Sequence, residues 1–161
     1  SKACAVFVAA IIVALLPLVL NLFLTSLFLP AVMPDSSSGL FPIFPYSMWG
    51  DIYYTDSFGY IFRYLAIISI TSGLLACLPL ILSNAFSSGV IITCSPFFLC
   101  VILNFFFGET GNFLHLSPIA FMRPDQPYWG LDPLSLMMTL LVLGLLEISV
   151  LFMVSRKNDI Y

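Results

Sequence analysis

The residue best placed to do chemistry is Glu147, the one acidic group inside the apolar run from Leu134 to Val154. It lies seven residues before Val154, about 10 Å inside that end of a helix at 1.5 Å per residue. Inserting an ionisable group at such a depth costs about 3 kcal/mol, and such groups face protein or a water-filled cavity. Two roles are open. A protonated carboxyl group can hydrogen-bond to a neighbouring helix, or the side chain can handle protons or a cation. Gly144, three residues earlier on the same face, leaves room beside it for a backbone or a water. The basic residues nearest in sequence, Arg156 and Lys157, are more than about two turns away, so an ion pair with them is not expected.

A second constellation is His115 with Glu109 and Asp125, which could share an acid–base site. One histidine among loop carboxylates is a weak signal, and nothing else in the sequence supports an enzyme. There is no GxxxxGK[ST] loop, HExxH or GxSxG, and the lysines are Lys2 and Lys157 alone, so ATP hydrolysis by this chain is not expected. Cys4, Cys77, Cys94 and Cys100 all fall in apolar runs with no CxxC or Cys/His spacing. They read as buried thiols behaving as small hydrophobes, not as a metal site or disulfides. No cofactor is expected in the chain itself.

Composition says what must position these groups. Apolar residues make up 61% of the 161 residues and charged residues 8%, with a mean hydropathy of +1.10. Soluble domains carry about 25% charged residues, so this surface is built for lipid. Net charge is −3 with five basic residues, and no basic patch exists to neutralise phosphates, which excludes a nucleic-acid partner.

Hydropathy predicts an all-α membrane protein forming a single transmembrane domain over 1–161, with helices near 3–29, 60–83, 89–107 and 134–154. About 20 helical residues span a 30 Å hydrocarbon core. The pair 60–83 and 89–107, joined by a short polar pause, forms a hairpin around which the rest is arranged. The first run is too long for a secretory signal peptide, and Pro17 is expected to kink it. Ala66, Ser69, Gly73 and Ala76 recur every three or four residues, a small-residue face suited to close helix packing.

Two loops flank the hairpin. Residues 30–59 are dense in Pro and aromatics, which suits short turns lying on the membrane surface; the alternative is an ordinary solvated loop. Trp49 and Trp129 are candidate interface anchors, and Arg63, one turn inside helix two, can snorkel to the same boundary. In loop 108–133 the run Phe113 to Met122 is apolar but too short to span, so a partly inserted or interfacial segment is expected. Basic residues sit at Lys2 and at Arg156 and Lys157, and the first loop has none. An even number of spans then puts both termini in the cytoplasm and both large loops outside.

Several stretches together resemble the permease subunits of ATP-binding-cassette exporters, the type-two ABC membrane family, in the form common in Gram-positive bacteria. They are LPLVLNLFLTSLFLPAVMPD at 16–35, DIYYTDSFGYI at 51–61, LPLILSNAFSSGVIITCSPFFLCVILNFFF at 78–107, LSPIAFM at 116–122 and RKNDI at 156–160. Their order and spacing carry the likeness more than any single motif. The family has six transmembrane helices, and the four here look like the third to sixth, which implies a fragment. If Ser1 instead follows a removed initiator methionine, the protein has four helices.

The resemblance implies a substrate pathway formed with a second permease copy or homologue in the bacterial cytoplasmic membrane. A separate cytoplasmic ABC ATPase subunit binding ATP and Mg would drive it. The few buried charges favour an amphiphilic cargo over a highly charged one. A non-transporting membrane scaffold or accessory subunit, and a membrane enzyme using the outer loops, are the alternatives.

Overall fold

The computed structural model describes residues 2–28, 43–44, 46–108, 113–123 and 131–158, with side chains up to 153. Four long helices dominate it: α1 (Lys2–Phe28), α3 (Ser57–Leu82), α4 (Gly89–Phe107) and α6 (Pro133–Asn158). Between them lie the short helices α2 (Gly50–Thr55) and α5 (Pro118–Phe121), the latter preceded by a 3-10 turn at Leu114–Leu116. Each long helix is apolar and long enough to cross a bilayer. The protein is an all-α membrane protein with four candidate spans among the described residues.

Helix ends differ from the hydropathy boundaries where a polar cap decides them. α3 begins at Ser57, three residues before the apolar run, because the Asp56 carboxylate accepts a hydrogen bond from the Gly59 N–H at 3.0 Å. α6 begins at Pro133, a residue suited to the first helical position because its missing N–H would be unpaired there anyway. Asp132 just before it accepts from the Ser135 N–H at 3.0 Å and from Ser135 Oγ at 3.1 Å.

These bonds from Ser135 to the charged form hold the Asp132 carboxyl below its ordinary value of 3.8. A depressed folded-state value means that the stabilisation is complete above the unfolded value and disappears as pH falls through the folded one. Asp132→Ala is therefore expected to be less stable than wild type at neutral pH. The gap should close as pH drops below about 3.8, checked by thermal unfolding across an acid series.

Inside the spans, hydroxyl groups donate to their own helix. Thr71 Oγ1 donates to the Ile67 carbonyl at 2.8 Å, Thr93 to Gly89 at 2.8 Å, and Ser149 Oγ to Leu145 at 2.7 Å. This pattern lets Ser and Thr sit in lipid without exposing an unpaired donor.

α3 is the hub. It packs against α1, α2, α4 and α6. The tightest packing lies at one end of the bundle, where Ile43, Met48, Tyr60, Tyr64 and Ile67 meet Phe121, Leu136 and Leu140. The second loop folds into this end, with Leu114, Ser117 and Ala120 buried and the segment touching both α4 and α6. Ser117 Oγ donates to Asn104 Oδ1 at 3.0 Å and accepts the Ala120 N–H, tying α5 to α4. By contrast, α1 and α4 contain no buried residue, and Phe105 is 81% exposed. Such surfaces suit lipid, which is as apolar as the side chains facing it.

Candidate functional site

α1, α3 and α6 enclose an open cleft of about 1040 Å³. Its walls are aliphatic and aromatic, with Phe7 from α1, Ile70 and Leu74 from α3, and Leu140 and Leu145 from α6. Six lining residues carry polar or reactive groups: Lys2, Cys4, Cys77, Ser83, Asn84 and Glu147. Lys2 starts α1, while Ser83 and Asn84 follow the last turn of α3, so these three mark one end of the cleft. From Ile70 to Ser83 the lining extends about 20 Å along the helix axis.

Glu147 is half-buried in this cleft and has no hydrogen bond or ion pair to another described residue. It lies within electrostatic reach of the Cys77 thiol across the cleft. Gly144 faces α3, where a Cβ at its position would touch Leu74 Cδ2 at 3.6 Å, an ordinary contact. The presence of Lys2 on the same cleft is new. In sequence it is 145 positions from Glu147, and only the return of α6 to the end where α1 starts brings them onto one surface. The even number of spans was the signal that pointed this way.

The small-residue face divides. Gly73 is buried, and a Cβ there would fall 2.5 Å from Phe7 Cε2, so glycine is what lets α1 lie against α3. Ser69 is buried and Ala76 half-buried, but Ala66 is exposed, one turn beyond the packed part of the face.

At the other end of α3, Arg63 lies with its guanidinium carbon 5.6 Å from the centre of the Trp49 ring, a cation–π arrangement. Trp49 also meets Tyr64 edge-on at 5.8 Å, and Tyr53, Tyr60 and Tyr64 continue the cluster. Trp49 adopts a left-handed φ of 61°, which turns the chain into α2. Tyr54 donates its hydroxyl to the Ile43 carbonyl, closing the loop onto itself. These contacts make the Trp49–Arg63 pair part of an aromatic cluster at this end of α3.

No protein family, curated protein or solved structure matches this chain. Among the described residues no three His, Cys, Asp or Glu side chains converge as metal ligands. His115 sits in the 3-10 turn beside Phe113. Its sequence-expected partners Glu109 and Asp125, and the anchor Trp129, lie outside the described residues. Among the described residues the cleft therefore holds the most distinctive arrangement: a carboxyl group with no described partner, in an apolar groove, with hydrogen-bonding groups at one end.

Proposed function

We propose that the chain is a membrane-spanning permease subunit of an ATP-driven export system, working in a bacterial cytoplasmic membrane with both termini inside. A second permease copy or homologue would complete the pathway, and separate ATPase subunits, binding ATP and Mg, would drive it. The observation that carries this reading is the cleft among three spans with Glu147 on its wall. Glu147 has no partner among the described residues, and placing an ionisable group at such a depth costs about 3 kcal/mol, a cost that a role in the pathway accounts for. The order of sequence motifs that resemble the exporter permeases supports the same reading.

Purification of the full-length protein from its native membrane tests it. A nucleotide-binding ATPase should co-purify in fixed stoichiometry, and its hydrolysis rate should rise on reconstitution with the permease. A stable assembly without an ATPase would favour a scaffold or accessory subunit.

Orientation has its own test. In a background with Cys4, Cys77, Cys94 and Cys100 replaced, a cysteine at Ser88, between α3 and α4, should be labelled only from the cytoplasmic side. A cysteine at Asp51, in α2, should be labelled only from outside. The opposite pattern would invert the topology.

A further inference from the structure

We propose that the cleft between α1, α3 and α6 binds an amphiphile bearing a protonated amine, its ammonium group on Glu147 and its alkyl chain along the apolar wall. Three observations converge on this class of ligand. The first is charge. The Glu147 carboxyl group is half-buried and has no partner among the described residues. A carboxylate removed from water is stabilised by an incoming cation, is left unpaired by a neutral ligand and repels an anion.

The second is the hydrogen-bonding character of the polar end. Ser83 Oγ donates to the Leu80 carbonyl at 2.8 Å, and Asn84 Nδ2 donates to the same carbonyl at 3.1 Å. Their donors are thus engaged within α3, leaving the hydroxyl oxygen and the amide Oδ1 to accept. Acceptors at the mouth of a cleft whose wall carries a carboxyl group suit a head group that carries N–H.

The third is shape. The lining from Ile70 to Ser83 covers about 20 Å, close to one leaflet of a hydrocarbon core about 30 Å thick plus its head-group boundary. A single alkyl chain entering from the cytoplasmic leaflet past Asn84 would lie along Phe7, Leu74 and Leu145 with its ammonium group on Glu147. Lys2 on the same cleft offsets part of the negative field. A small hydrated cation consequently gains little there, whereas an alkyl amine adds the burial of its chain.

Binding requires neither ATP nor export, so this site and the exporter reading fail separately. The full-length protein in phosphatidylcholine nanodiscs is titrated with radiolabelled dodecylamine, with empty nanodiscs subtracted. Saturable binding is expected, with affinity falling about tenfold or more in Glu147→Gln, which keeps the shape but not the charge. Dodecanol, with the same chain and no charge, should not compete in the wild type. Lys2→Ala should bind the amine at least as well as wild type.

A second readout uses Cys4, the exposed thiol on the cleft wall, as the only thiol, with Cys77, Cys94 and Cys100 replaced by serine. Dodecylamine should slow its alkylation by N-ethylmaleimide. The proposal is overturned by absence of saturable binding, as when another helix or a second copy fills the cleft. Equal competition by dodecanol, full affinity in Glu147→Gln, loss of affinity in Lys2→Ala, or unprotected Cys4 would each overturn it too.

Discussion

Phe121→Ala is expected to cost about 3–5 kcal/mol of stability. Phe121 is 2% exposed and packs with Leu136, Leu140 and the tyrosines of α3, where the second loop closes one end of the bundle. Removing the ring leaves a cavity that the surrounding backbone cannot collapse into. α5 is held on one side by the Ser117–Asn104 hydrogen bond, and α6 is fixed by its own cap. The control is Phe105→Ala on α4, which removes the same atoms from a side chain 81% exposed. That variant should stay within about 0.5 kcal/mol of wild type. Denaturant titration in mixed micelles measures both. Equal losses would mean that exposure in the isolated chain does not describe the packing of the assembled protein.

Gly73→Leu should destabilise the pairing of α1 with α3, by about 1–3 kcal/mol from overpacking. Even a Cβ at this position would lie 2.5 Å from Phe7 Cε2 and 2.7 Å from Cδ2, too close to be accommodated in place. For Gly73→Ala the ring edge of Phe7 can swing aside, so its loss should be smaller. For leucine there is no such room, and α1 must move away from α3. The diagnostic experiment is a double-mutant cycle. In a Phe7→Ala background the cost of Gly73→Leu should shrink, with a coupling of about 0.5–3 kcal/mol. Additive effects would show that Phe7 is not what Gly73 accommodates. Because Phe7 also lines the cleft, the same variant should alter amine binding without touching Glu147.

The residues around Gly73 show how far sequence reading reaches in a bilayer protein. The recurrence of Ala66, Ser69, Gly73 and Ala76 marks a face of α3, yet the packed stretch covers Ser69 to Ala76 and leaves Ala66 exposed. Small residues permit close approach, but where the partner helix approaches depends on its own side chains. Here Phe7, 66 positions away in sequence, decides it. The aromatic loop behaves similarly. Its composition points to the membrane boundary, whereas the ring of contacts joining Trp49, Arg63 and Tyr64 exists only once the loop has folded back over α3.

Sequence alone determined the solvent of this protein, the number of its spans and most of their limits, because length and apolar composition set which segments can cross a hydrocarbon layer. It also singled out Glu147, since a carboxyl group in such a run stands out against every neighbour. Tertiary structure decided which faces of the helices meet, and that Lys2, Asn84 and Glu147 line one cleft. In water, the apolar stripe of a helix identifies its buried face. In lipid, the tails are as apolar as leucine, so a face turned to another helix and one turned to the membrane carry the same residues. The information that separates them lies in shape, hydrogen bonding and the chain's return path, which appear only when the helices are packed together.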